Sequence, residues 1–216
     1  MRLRHYIMIV GLPAFALAVL SLAGLTRLFL LSEFERQDAQ RAQRNAERAD
    51  NAVAQDLTSL EGITKDWAWW DETYQAVQDS GEAFAQVNLV DHTFENLQVN
   101  LFVLYDVHGE VILARAFDLQ NGVRVEPPQG LLEPLDPAYP LLQDLNAPPA
   151  AKSGLVRLPE GVLEVAAAPI LLSSLEGPPA GTLIIGRWLD EALLARLSAL
   201  AGYPIELLPA SADRIL

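Results

Sequence analysis

The chain has 216 residues, enough for one domain of ordinary size with additional elements. Its residues are 51% apolar and none is cysteine, so a core can form without staples, while disulfides, thiolate metal sites and cysteine nucleophiles are excluded together. The formal net charge is −13 and all 28 acids lie beyond residue 31, an acidic body that argues against nucleic-acid binding, which needs cations to neutralise phosphate.

At the N-terminus, residues 6–25 form a run of 20 without a charge, and 28–31 extend it past Arg27. About 20 such residues span the hydrocarbon core of a bilayer. Arg2 and Arg4 precede the run and favour a cytoplasmic N-terminus, with Arg27 able to snorkel at the far interface. The run is longer than a signal-peptide core, and the residues after Gly24 make a poor cleavage context, so the expectation is an uncleaved inner-membrane anchor. With either reading the body lies outside the cytoplasm.

Residues 32–51 contain neither Gly nor Pro and are rich in Glu, Arg, Gln and Ala, which predicts helix. The pattern continues through Gly62 to about Val77, and a helix over 35–77 would be on the order of 60 Å long. Its early part offers only Ala42, Ala46, Ala49 and Val53 as an apolar seam. A thin seam of small residues suits pairing with an identical helix, a homodimer through the stalk; a solvated spacer is the alternative.

The seam then becomes rich. Leu60, Ile63, Trp67, Trp70, Tyr74 and Val77 are spaced as one continuous helical face, with Asp71 on the same stripe and Trp69 pointing almost oppositely. Such a stripe serves a core or a ligand box. Asp71 within it requires a partner: it holds the helix to a loop, or it receives a cationic ligand group in an aromatic cage.

After residues 79–81 the pattern becomes antiparallel sheet with short helices. Residues 99–105 and 110–117 flank a Gly-containing turn and predict a β-hairpin. Residues 119–137 read as a loop, 138–145 as a short helix, and 154–158 with 162–170 as a second hairpin around Pro159-Glu160-Gly161. Residues 181–189 are the best buried strand, Asp190 caps a helix to 200, and 203–208 are read as an edge strand. A helix followed by meandering strands gives the α+β class with one sheet.

Chemistry is sparse. His5, His92 and His108 are scattered, so no metal site is expected, and no nucleophile elbow, phosphate loop or catalytic triad is visible. Glu160 and Glu164 flank a turn and are read as solvated. Arg115 and Arg187 lie in strands of an acidic domain. Each either forms an internal salt bridge, to Asp118 or Asp71, or makes a fork for a carboxylate or phosphate ligand.

The run Asp66-Trp67-Ala68-Trp69-Trp70-Asp71-Glu72-Thr73-Tyr74 resembles the signature of the type-four CHASE domain, an extracellular sensor on bacterial and archaeal histidine kinases and diguanylate cyclases. Asn88-Leu89, Thr93, Asn96 and Leu97, the stretches 100–105 and 109–118, Ala168-Pro169-Ile170, and 181–190 with its Gly186-Arg187-Trp188-Leu189-Asp190 ending follow in the family's order. The resemblance covers about residues 45–208 and implies a periplasmic, PAS-like sensor with an unassigned small-molecule ligand and no catalytic residue or cofactor. It divides the chain into a cytoplasmic tip and transmembrane helix (1–31), a stalk helix (32–65), a PAS-like sensor (66–210) and a tail (211–216). Family members continue into a second span and a histidine kinase or diguanylate cyclase/phosphodiesterase output. This chain stops at Leu216, so it is expected to be the input portion of a receptor, the alternative being a stand-alone anchored module that binds another periplasmic protein. The residues expected to meet a ligand are Trp67, Trp70, Asp71 and Tyr74, with Arg115 beside them.

Overall fold

With no Gly or Pro between Gly24 and Gly62, the backbone has no reason to leave the helix, and α1 runs unbroken over Arg2–Ala68. The structure, a computed structural model, describes the backbone of residues 2–132 and 150–207; before residue 40 it describes the side chains of residues 15 and 17–22 alone. The chain forms two units, residues 1–48 and 49–216. In the first, Phe15, Leu17, Val19, Leu20 and Leu22 are all exposed. Among the described residues no helix is long and apolar enough to cross a membrane. Most side chains of the anchor expected at 6–25 lie outside the described residues.

In the second unit, Ala52, Asp56, Leu60, Thr64 and Ala68 recur every fourth residue along α1 and are all buried, so one face of the helix is part of the body. Val53, the last residue of the small-residue seam, packs with Ala52 against α5 (Glu191–Ala201).

The helix does not continue to residue 77. It ends at Ala68, Trp70 takes an extended conformation (φ −114, ψ 131), and α2 (Asp71–Gln78) begins anew. Two more short helices follow, α3 (Glu82–Asn88) and α4 (Asp91–Leu97). The break has a tertiary cause. The Leu171 N–H donates to the Ala68 carbonyl at 3.0 Å, and Trp67, Trp69 and Trp70 all pack on the same core, which an unbroken helix would forbid.

The strands are β1 (Leu101–Asp106), β2 (Val111–Asp118), β3 (Val123–Val125), β4 (Lys152–Leu158), β5 (Gly161–Ile170) and β6 (Gly181–Trp188). They form one antiparallel sheet in the order β3-β2-β1-β6-β5-β4. Both predicted hairpins are present. In the first turn the Asp106 carboxylate accepts from the backbone N–H of His108 and Glu110 at 2.8 and 2.9 Å. β3 is a strand where a loop was expected, and the edge strand expected at 203–208 is absent from its described part, 203–207. The short helix expected at 138–145 lies outside the described residues. Asp190 caps α5 as expected, its Oδ1 accepting the Leu193 N–H at 2.9 Å.

Strand alternation divides the core. Phe102, Leu104, Phe117, Ala166, Ala168, Leu183 and Ile185 face α1 to α4, while Leu101, Val103, Tyr105, Ala116, Leu163, Val165 and Ile184 face the other way. β1 and β6 approach so closely that a Cβ on Gly181 would stand 1.9 Å from the Tyr105 carbonyl oxygen, so only glycine starts β6.

Candidate functional site

On the face away from the helices, the start of β1, the end of β2, the start of β5 and the end of β6 converge under the 126–129 segment and enclose a cleft of about 620 Å³. Leu101, Ala116 and Leu163 contribute its apolar floor and Trp188 a half-buried wall. This size and character suit a small organic solute. Asn100 fixes the geometry at one end. Its buried side chain donates to the Phe117 carbonyl at 2.9 Å and accepts from the Trp188 N–H at 2.9 Å, tying β2 and β6 to β1. At the other end of β1, the buried Tyr105 hydroxyl donates to the Leu131 carbonyl, which pins the segment after the cleft to the sheet. Burial raises the Tyr105 pKa, so the hydroxyl stays a donor.

Among the described residues, every ionisable side chain lining the cleft is acidic: Asp118, Glu126, Glu160 and Asp190. Asp118 accepts from the Asn121 side chain at 2.6 Å and from the backbone N–H of Asn121 and Gln120 at 3.1 and 2.8 Å. The Asn121 bonds chiefly hold its carboxyl below the ordinary value. Asp190, besides capping α5, accepts from Gln120 Nε2 at 3.1 Å. The site therefore offers fixed negative charge beside an indole, an arrangement that attracts cations.

None of the five residues expected to meet a ligand lines this cleft. Trp67 and Trp70 join Phe84 and Phe102 in an edge-to-face cluster on the helix side, with centroids 5.5–6.3 Å apart. Asp71 is exposed at the first turn of α2 and accepts the Ser173 N–H at 2.8 Å, a tie to the loop after β5. The Tyr74 hydroxyl donates to the Pro178 carbonyl at 3.4 Å. The aromatic run thus binds the β5–β6 connection at three points, counting the Ala68 carbonyl. Arg115 pairs with Glu82 of α3.

Two readings of charged residues are corrected. Glu164 is not solvated but 0% exposed, and Arg187, 5% exposed, pairs with neither Asp118 nor Asp71. Its Nε contacts Glu164 Oε2 at 3.1 Å and its Nη2 contacts Asp56 Oδ2 of α1 at 3.0 Å. Arg196 of α5 reaches Asp56 Oδ1 at 2.8 Å. Burial, with the neighbouring Asp56 carboxyl, pushes the Glu164 pKa up to about 7 against the pull of Arg187. Asp56 carried no sequence signal, and Asn100 carried one only as the first residue of the family-like stretch 100–105. Trp188 was legible as a member of the family-like 186–190 ending, and as the strand neighbour of Arg187 it points to the opposite face.

The CHASE4 domain family matches residues 52–208. The chain is 35% identical over 155 residues to the methanogenesis regulatory histidine kinase FilI of Methanothrix harundinacea, covering 72% of this chain and 17% of that protein. In fold it resembles a chain described as the extracellular domain of histidine kinase vpHK1S-Z8 (TM-score 0.52, 14% identity, 75% of this chain and 62% of that one). It also resembles a domain of a sensory box/GGDEF family protein from Vibrio parahaemolyticus (TM-score 0.50, 14% identity, 72% and 61%).

Proposed function

We propose a sensory input role from one premise: this chain belongs to the CHASE4 domain family. The body binds a small solute in the cleft, and α1 carries the consequence to an output module. The observation behind this is placement. Leu163 and Trp188 are paired across β5 and β6 on the cleft side, and the next pair, Glu164 and Arg187, grips Asp56 of α1 on the other side. A solute pressing on the first pair acts on the strands that carry the second. It shifts the protein only by the difference in its affinity for two states.

Around this centre we read the start of α1 as a membrane anchor, from the uncharged run at 6–25 and the exposed Phe15, Leu17, Val19 and Leu20. The body then lies on the extracytoplasmic side, and two copies pair along the stalk. The output is a histidine kinase or a diguanylate cyclase/phosphodiesterase. The all-acidic lining favours a neutral or cationic solute over a carboxylate or phosphate. The aromatic run and Arg115 serve as the pivot between α1 and the sheet.

The test is calorimetric titration of the full chain in nanodiscs with betaine, putrescine, glucose and succinate. Saturable binding of a cationic or neutral solute, weakened about tenfold or more by Trp188→Ala, is the expected result. Binding of succinate alone, unchanged by that substitution, would remove the cleft from consideration.

A further inference from the structure

We infer that Asp56, Glu164 and Arg187 form a proton-operated clasp between α1 and the sheet, closed while the carboxyl pair holds one proton and opened when that proton leaves to solvent.

The geometry is of two buried carboxyl groups on one buried guanidinium. Asp56 comes from α1, Glu164 from β5 and Arg187 from β6, and they are 7%, 0% and 5% exposed. Arg187 spends Nε on Glu164 and Nη2 on Asp56. Asp56 Oδ2, Glu164 Oε1 and Arg187 Nη2 have no hydrogen bond of good geometry among the described residues. Glu164 Oε1 is left without a hydrogen bond, and the Nη2–Oδ2 pair meets as an ion pair without hydrogen-bond alignment, so the cluster as drawn is under-satisfied. A proton on Glu164 supplies the missing donor for Asp56, and leaves one anion facing one cation in a dry site.

Without that proton, two anions face one buried cation. The other charged groups nearby do not restore the balance. Arg196 of α5 reaches Asp56 at 2.8 Å, but its side chain is 42% exposed, so it offsets the second anion only in part. Arg157 of β4 shares the sheet face with Glu164 by strand alternation but is exposed. Glu61, the next acid along α1, accepts from Ser153 of β4 at 2.7 Å and adds negative charge. Like charges in a desolvated site oppose each other, and the elements carrying them separate.

The sign follows from Glu164, whose pKa in the folded chain is raised to about 7 from 4.5. A raised carboxyl favours the folded contact below the unfolded pKa, and that contribution is lost as pH rises from 4.5 through about 7. Acid therefore closes the clasp and mild alkali opens it. A sensor facing the outside would read proton concentration through the same helix that reports its solute.

Hydrogen exchange of the full chain in nanodiscs, without any solute, tests this. Protection factors of α1 amides near Asp56 should fall about tenfold between about pH 6 and about pH 8 in the wild type. Glu164→Gln, a permanent stand-in for the protonated acid, should stay flat at the acid-limb value. The same slope in both proteins would overturn the clasp. Should the variant fail to fold, the infrared carboxyl band of the wild type decides: one buried acid titrating near neutrality supports the inference, and its absence at about pH 6 refutes it. Since no solute is used, failure here leaves the cleft reading untouched, and failure of the titrations above leaves the clasp untouched.

Discussion

The two faces of the sheet are made from alternate residues of the same strands, yet they are finished differently. The helix face is sealed: Phe102 is 1% exposed and interlocks with Trp67 and Phe84. The opposite face carries a cleft whose floor includes Leu101, the residue just before it. Both faces bury their side chains; they differ in what covers them, short helices and an interlocked aromatic cluster on one, the 126–131 segment over a cleft on the other.

Substitutions can break this contrast in order of size. Phe102→Ala should cost about 3–5 kcal/mol in urea unfolding, because its cavity is walled by rings that cannot collapse. Leu101→Ala should cost about 2–3 kcal/mol, since the open cleft relaxes around the loss. Equal costs would mean the cleft face is as tightly packed as the other. Tyr105→Phe should cost about 1–2 kcal/mol, the penalty of leaving the buried Leu131 carbonyl without its donor. Asp71→Ala should cost about 1 kcal/mol or less and speed proteolysis of the 171–180 connection, because it releases an exposed loop contact and leaves the core intact. A loss of several kcal/mol would instead place Asp71 in a buried network.

The smallest effect concerns pH at the cleft rim. The Asp118 carboxyl lies below its ordinary value, so its contribution is present above the unfolded pKa and lost as pH falls through the folded one. Asp118→Asn should flatten the acid limb of the stability curve slightly, read as a narrower difference in melting temperature between acidic and neutral buffer. No change at all would mean the Asn121 bonds persist in the unfolded chain.

Much of this architecture was readable from local chemistry. The hairpins follow from Gly109 and from Pro159-Glu160-Gly161, and Asp190 marked the start of α5 as a capping residue should. The break in α1 was not readable. Trp67, Trp70 and Tyr74 keep helical spacing, no Gly or Pro intervenes, and the chain turns where Leu171, from far along the sequence, claims the Ala68 carbonyl and three Trp pack on one core. Glu164 misled for a similar reason: three residues past a turn it looks solvated, but its partners come from a neighbouring strand and a helix over a hundred residues earlier. The cleft was hidden because Asn100 and Trp188 meet only once β1 and β6 have paired. Short-range pattern reveals elements, and long-range pairing decides which residues they bring together.

The bond from the Leu171 N–H to the Ala68 carbonyl has a kinematic consequence. At 3.0 Å it lies near its optimum, and one residue of axial slip along a helix is about 1.5 Å. A piston stroke of even that size would tear it, together with the Asp71 tie two residues on. The end of α1 is therefore held against axial slip past the start of the β5–β6 connection. Held at Ala68 by this bond and at Asp56 by Arg187, the stretch of α1 between them rests on the body as a beam rests on two supports.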